Sequence, residues 1–281
     1  PQNFDELSGQ EFVVTTLKNS IEMGRVAHAY LFTGPRGVGK TSAARILAKA
    51  VNCLEPVGSN PCNKCDNCTE ITTGTSMDVV EIDGASNRGI DEIRELREAV
   101  RFLPIKCKFK VYIIDEVHML TEHAFNALLK TLEEPPEYVM FILATTDPQR
   151  LPATIISRCQ KYDFNKIPFD IMFESLSKAL ESEEIEFEKD ALNLVVRNSD
   201  GCMRDSLSLL DQIIAFTGGK LDEQSTSFLL GFSEKSLVDN IFAHIIKEET
   251  DKIPAAVEEL SAKGVNFPFA AVTLIGHTRY L

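Results

Sequence analysis

The sequence predicts an α/β fold in which a parallel sheet carries a phosphate-binding loop and an all-helical region follows. Three observations lead there. The apolar run 29–32 is followed by Gly34, Pro35, Arg36, Gly37, Val38, Gly39, Lys40 and Thr41, then by a helical pattern over 42–51. That is the strand–loop–helix context a G-x-x-x-x-G-K-[ST] match requires. The runs 110–116 (KVYIIDE) and 138–145 (YVMFILAT) are apolar without alternation, as strands are when both faces of a parallel sheet are covered. From Phe169 onward strand patterns vanish and helical patterns succeed one another.

Composition bounds the rest. A chain of 281 residues exceeds the usual domain size, so two or three domains are expected. With 44% apolar and 25% charged residues the composition is ordinary for a globular protein. No run of about 18 apolar residues occurs, which gives no membrane span, and no secretory leader stands at the start. The net charge of −13 excludes a protein that coats nucleic acid through its overall field; any such contact must be local. Seven cysteines, four of them clustered, predict a metal site in a reducing cytosol rather than disulfides. A chain that starts on Pro1 and stops at Leu281 inside a helical pattern is expected to be a piece of a longer one.

In order, an amphipathic helix is expected over 10–23, with Ser8 as its N-cap and Glu11 completing a capping box, and Gly24 as its stop. In the loop that follows, glycines let successive N–H groups turn inward, and the helix N-terminus adds partial positive charge. Lys40 would reach the β- and γ-phosphates of a nucleoside triphosphate and the Thr41 hydroxyl would ligate Mg²⁺. Cys53, Cys62, Cys65 and Cys68 then form C-x8-C-x2-C-x2-C. Four thiolates complete a tetrahedral Zn²⁺ shell and leave no open position, a structural site; an iron–sulfur cluster competes for such spacing. Cys107, Cys159 and Cys202 are scattered and read as small apolar residues.

A second strand is expected over 78–83 and a helix over 90–102 with an apolar stripe through Ile90, Ile93, Leu96, Val100 and Leu103. The strand 110–116 ends in Asp115 and Glu116. At the same sheet edge as the glycine loop, Asp115 would hold Mg²⁺ directly or through water, and Glu116 would orient or deprotonate the attacking water. A helix over 121–133 stops at Pro135-Pro136. Thr146, after the strand 138–145, is either a contact to the γ-phosphate or attacking water or a turn residue. A short helix over 151–158 and a fifth strand over 160–164 close the region. Helical patterns follow over 169–182, 189–198, 203–216 and 222–230, then 235–247, 251–262 and from 269 onward.

GPRGVGKT, the cysteine spacing, VYIIDEVHML, NALLKTLEEPP, ATTDPQRLPATIISRC and CMRDSLSLLDQ together resemble the gamma/tau subunits of bacterial DNA polymerase III, the ATPases of the replicative clamp loader in the AAA+ superfamily. The resemblance runs over nearly the whole chain in the family's motif order. It implies a P-loop AAA+ ATPase domain over 1–168, with a five-stranded parallel sheet and an inserted zinc module around 53–68. A helical lid over 169–231 and the truncated beginning of a helical oligomerisation collar over 232–281 would follow. It implies an ATP-binding and hydrolysing motor subunit that opens the sliding clamp and loads it onto primed DNA, within a complex classed as a DNA-directed DNA polymerase. Its cofactors would be ATP, Mg²⁺ and structural Zn²⁺. Its partners would be the other clamp-loader subunits in a hetero-oligomeric, pentameric ring, the sliding clamp and primer–template DNA, in the cytoplasm and away from membranes.

The resemblance also assigns roles. Thr146 matches the sensor of the γ-phosphate, and Arg158 matches an arginine finger acting in trans on ATP held by a neighbouring subunit. Arg204 matches the lid arginine that touches ATP in its own subunit. Phe4, Leu7, Gly9 and Gln10 match the stretch near the adenine. Asn87-Arg88 and Lys130 stand where DNA phosphates are contacted. Against this reading stands a DExH-type helicase or translocase, suggested by Asp115-Glu116-Val117-His118; it would need a second RecA-like lobe, and only helical patterns follow residue 165.

Overall fold

The unbroken apolar runs become the middle of one sheet, and the pleat sorts their side chains between its two faces. The structure, a computed structural model, describes residues 1–86, 89, 95, 96, 98–230, 232–262, 270, 271, 274 and 275. Five strands, β1 (Ala29–Thr33), β2 (Val79–Asp83), β3 (Lys110–Asp115), β4 (Val139–Thr145) and β5 (Gln160–Asp163), are all parallel in the order β2-β3-β4-β1-β5. Every residue of β1 and β4 is buried. Tyr30, Phe32, Val111, Ile113, Met140 and Ile142 enter one core with residues of helices α1 (Glu11–Glu22) and α2 (Lys40–Asn52). Helix α3 (Asp66–Thr73) lies in the cysteine segment. The alternate set, Leu31, Tyr112, Ile114, Phe141 and Leu143, enters a second core with α4 (Glu122–Glu133) and α5 (Ala153–Ile156).

This order positions the site. In parallel strands all C-terminal ends share one edge. The loop after β1 and the acids after β3 therefore meet across the tip of β4, which lies between those strands.

Several expectations are corrected. Ser8 is not the N-cap: Gln10 occupies that position of α1 without a side-chain cap bond, because its amide is drawn into long-range bonds described below. The helix expected over 151–158 shrinks to Ala153–Ile156, preceded by a 3₁₀ turn at Pro148–Arg150. In the stripe expected over 90–102, Leu96 and Val100 are buried but Leu103 is 70% exposed, since Pro104 forces the chain to turn. Ile90 and Ile93 lie outside the described residues. Asp78, read as strand, instead caps a loop: its carboxylate accepts the N–H groups of Ile105, Lys106 and Cys107 at 2.8–2.9 Å.

The chain divides into two compact units, 1–172 with 201–205, and 173–200 with 206–281. The second contains most of α6 (Phe169–Ser182), α7 (Lys189–Asn198), most of α8 (Met203–Thr217), α9 (Glu223–Leu229), α10 (Phe232–Ile246) and α11 (Ile253–Ala262). Strand structure does not vanish there entirely: β6 (Glu186–Phe187) and β7 (Lys220–Leu221) form a two-residue parallel ladder. Val238, Ile241, Ala256, Leu260 and Ala270 make a small core of their own. Among the described residues, no helix is long and apolar enough to cross a membrane.

Candidate functional site

Three glycines shape the loop after β1. Gly34, Gly37 and Gly39 have φ of +142°, +70° and +100°, values that L side chains rarely adopt. Two also lack room: a Cβ on Gly34 would stand 2.2 Å from the Phe164 carbonyl oxygen, and one on Gly37 would stand 2.1 Å from Cys202 Sγ. Helix α2 starts at once after Gly39, aiming its first N–H groups at the loop. Lys40 Nζ donates to the carbonyls of Gly34 at 2.8 Å and Pro35 at 2.6 Å. Its side chain is buried, and burial pulls the ammonium pKa below its ordinary value, with Glu116 and Asp115 opposing that shift and Arg204 adding to it. An ammonium this enclosed, bonded to neutral carbonyls, is placed to receive an anion.

The acids arrive from β3. Thr41 Oγ1 donates to Asp115 Oδ2 at 2.5 Å, so hydroxyl and carboxylate stand side by side as a hard divalent cation requires. Glu116 has a left-handed backbone, φ +45°, which is rare for a non-glycine residue and occurs where a site over-determines geometry. Its Oε2 accepts from Thr146 Oγ1 at 2.9 Å and lies 3.4 Å from His118 Nδ1. His118 Nδ1 is also 2.9 Å from Thr145 Oγ1. Lys40, Thr41, Asp115, Glu116 and Thr146 thus converge.

Arg204 and Asp205 meet the loop from another direction. Arg204 N–H donates to the Gly37 carbonyl at 3.4 Å, and Arg36 Nη2 pairs with Asp205 Oδ2 at 2.9 Å. On the opposite flank, Leu7 Cδ2 would be 3.5 Å from a Cβ on Gly39. Gln10 Nε2 donates to the Val38 carbonyl at 3.5 Å and to that of Asn165 at 2.8 Å, while its Oε1 accepts from Asn165 N–H at 3.1 Å. Phe4 is fully buried in the core beneath. Arg158 stands apart: its guanidinium bonds Glu133 Oε1 and the Thr154 carbonyl, each at 2.7 Å. Lys130 is exposed on α4, and Asn87 and Arg88 lie outside the described residues.

The four clustered cysteines converge too. Their sulfurs all lie within 4.8 Å of one another, with Cys53–Cys65 and Cys62–Cys68 at 4.0 Å. A tetrahedron with metal–sulfur bonds of about 2.3 Å has edges of about 3.8 Å, so the set fits one ion and is too tight to enclose a multi-iron cluster. All four thiols are free. Cys62 Sγ accepts the N–H groups of Lys64 and Cys65, which draws its pKa down to about 6; burial pushes the thiols of Cys53 and Cys68 up. Asn63, at φ +58°, makes the tight turn between the paired ligands.

Three positions at the site have no role of their own in the sequence reading. Gly84 was unremarked, although a Cβ there would stand 2.7 Å from the Glu116 carbonyl oxygen. His118 stands within VYIIDEVHML and the helicase-like Asp115-Glu116-Val117-His118, and Asp205 within CMRDSLSLLDQ, neither with a role assigned. The signal for Gly84 was a glycine straight after a strand; the Arg36–Asp205 pairing had none.

Comparison with known proteins completes the picture. A family model described as "DNA polymerase III, delta subunit" matches residues 9–168, and one for "DNA polymerase III clamp loader subunit, ATPase lid domain" matches residues 172–219. The chain is 44% identical to DNA polymerase III subunit tau of Escherichia coli over 98% of its length, and 46% identical to that of Bacillus subtilis over 94%. It spans 43% and 47% of those relatives, about half their length. Against DNA polymerase III subunit gamma of Buchnera aphidicola (subspecies Acyrthosiphon pisum) the identity is 41%, over 95% of this chain and 74% of the relative. Among solved structures, the Thermotoga maritima RuvB Holliday junction branch migration motor superposes with a TM-score of 0.61 at 20% identity, over 95% of this chain and 85% of that one. That likeness establishes the P-loop AAA+ fold alone. The extent and identity of the gamma and tau matches establish more: this chain belongs to the DNA polymerase III gamma/tau family of clamp-loader subunits.

Proposed function

We propose that this chain is the ATP-binding and hydrolysing part of a clamp-loader subunit, which couples nucleotide turnover to opening a sliding clamp and placing it on primed DNA. The carrying observation is the buried Lys40 ammonium beside a Thr41–Asp115 pair, with Glu116 and Thr146 joined next to them. The loop N–H groups and Lys40 would hold the phosphates, and Thr41 and Asp115 would hold Mg²⁺, which supplies charge neutralisation when bound. Glu116, hydrogen-bonded by Thr146, would take a proton from water. Arg204 would contact nucleotide in its own subunit. Arg158, bound outside this group, would serve a neighbour's nucleotide in a hetero-oligomeric, pentameric ring. The cysteine set would hold one structural Zn²⁺.

The domain reading that goes with this is an ATPase domain to residue 168, a lid over 169–231 and the start of a collar beyond. The cytoplasm is the expected compartment. DNA-directed polymerisation belongs to the holoenzyme and not to this subunit. The helicase alternative is disfavoured: after β5 the only strands among the described residues are β6 and β7, of two residues each, too little for a second RecA-like lobe. The test is ATPase turnover of the full-length protein alone and with partner subunits, clamp and primed DNA. Stimulation that requires all three supports the clamp-loader reading; stimulation by DNA alone favours the helicase.

A further inference from the structure

The first gap in the cysteine pattern, eight residues between Cys53 and Cys62, is longer than metal binding needs, and the structure gives it work. Val57 and Asn60 exchange backbone hydrogen bonds at 2.9 and 3.1 Å around Gly58, at φ +61°, so the gap is a tight hairpin. Its tip is anchored on the N-terminal segment. Asn60 Oδ1 accepts the Phe4 N–H at 3.1 Å, and Asn60 Nδ2 donates to Asp5 Oδ2 at 2.6 Å. The neighbouring Ser59 is buried and donates to Glu22 Oε1 of α1 at 3.1 Å. A second tie runs through Lys49, buried in α2. Its Nζ donates to Asn63 Oδ1, between two of the cysteines, and to the Gln2 carbonyl and Gln2 Oε1, all at 2.7–2.9 Å.

The segment so held also touches the phosphate loop. Leu7 lies against Gly39, and Gln10 ties the Val38 carbonyl to Asn165. We infer that the cysteine module is a clasp for residues 2–10, with Asn60 as its positioning residue, and that occupancy of the metal site sets how firmly these residues brace the phosphate loop. The inference rests on the proposed nucleotide site and adds a metal-dependent control to it. Asn60 is fixed by the module on both sides: the hairpin at Gly58 lies in the short loop closed by Cys53 and Cys62, and the turn at Asn63 follows Cys62 directly. Without an ion to draw the four sulfurs together, that loop loses its closure, and Asn60 loses its fixed position under Phe4. Through these bonds the hairpin and the cysteines have no contact of their own with the phosphate loop and reach it only by way of residues 2–10.

That separation gives the test. In the full-length protein, binding of ATP and of inorganic tripolyphosphate is measured by titration for the parent, for Asn60→Ala, and for protein stripped by a thiol-competing chelator with metal content assayed in parallel. Amide exchange of residues 2–10 is followed in each. The expected result is affinity for ATP and for tripolyphosphate about 5- to 10-fold weaker in Asn60→Ala, the loss of one to two hydrogen bonds, with faster exchange confined to residues 2–10 and the phosphate loop. Stripped protein behaves the same way, and restored Zn²⁺ reverses it. Unchanged ATP affinity in Asn60→Ala overturns the clasp, as does faster exchange spread over the whole chain, which would mean general destabilisation. A parent protein that binds neither ligand overturns the nucleotide site itself, and the clasp with it.

Discussion

Gly84 offers a test of the acid pair that touches neither acid. It follows β2, and its N–H donates to the Asp115 carbonyl at 2.8 Å. An added Cβ would stand 2.7 Å from the Glu116 carbonyl oxygen and 2.9 Å from that of Asp115. To reach the 3.4 Å of an ordinary contact, Gly84→Ala must push the Asp115–Glu116 backbone away by about 0.7 Å. Overpacking of this kind costs about 1–3 kcal/mol, which a domain stable by about 5–15 kcal/mol survives folded. The displaced atoms, however, aim the Glu116 carboxylate and set the Thr41–Asp115 separation. Since a misplacement of about 1 Å can cost roughly 100-fold in rate, the shift should lower turnover by about 10-fold or more. Affinity for ATP, carried by the loop and Lys40, should stay at the parent value. The assay is single-turnover hydrolysis in the assembled complex beside equilibrium nucleotide binding, with a melting curve to confirm folding. Parent-like turnover would refute the placement of the acids; loss of binding and turnover together would show that the acids serve binding.

Three further outcomes are expected. Glu116→Gln keeps the bond from Thr146 but loses the base, so ATP binds and turnover falls by about 100-fold or more; lost binding would mean that Glu116 is structural. Arg158→Ala should leave ATP affinity and melting temperature nearly unchanged, because its partly exposed pair with Glu133 contributes at most about 1 kcal/mol, yet cut turnover steeply in assembled complexes only; normal DNA-stimulated turnover there would remove the arginine from the site. Asp78→Asn should destabilise by about 3 kcal/mol at neutral pH in urea melts, since an amide cannot accept all three N–H groups at 105–107. Burial alone would raise the Asp78 pKa, but the N–H groups of Lys106, Cys107 and Ile105 outweigh it and hold it below the ordinary 3.8. Its stabilising effect is therefore present above about pH 4 and fades as pH falls through the still lower folded value; a deficit that persists unchanged at pH 2–3 would contradict that origin.

What was legible in the sequence was chemistry carried by neighbours in the chain. The loop 34–41, the acids at 115–116 and the four cysteines each declare themselves within 20 residues, and the sheet follows from apolar runs that parity then divides between two cores. What was illegible depends on residues far apart. Gln10 fails to cap α1 because Asn165, 155 positions away, claims its amide, and no local pattern could foretell that. Arg36 and Asp205 are separated by 169 positions. The β6–β7 ladder is two residues long, too short to show a period of two. Pro56, Gly58 and Pro61 mark a loop between Cys53 and Cys62 without revealing what the hairpin at 57–60 holds.

The weakness of the Arg158–Glu133 pair is itself informative about the proposed finger. An arginine kept for catalysis on another subunit must be stored where it is ordered but cheaply released. Arg158 meets both demands: two bonds at 2.7 Å fix its direction, while its side chain remains 32% exposed and that of Glu133 48%. Such a pair contributes about 0–1 kcal/mol. A triphosphate brought into reach offers charge-assisted, bidentate bonds roughly twice as strong as neutral ones, so exchange of Glu133 for phosphate is downhill once a neighbour is present. Glu133→Gln therefore separates storage from action. If the pair only parks the arginine, the variant leaves turnover in the complex at or above the parent rate; if Glu133 must steer Arg158 across the interface, turnover falls with it, and the storage reading fails.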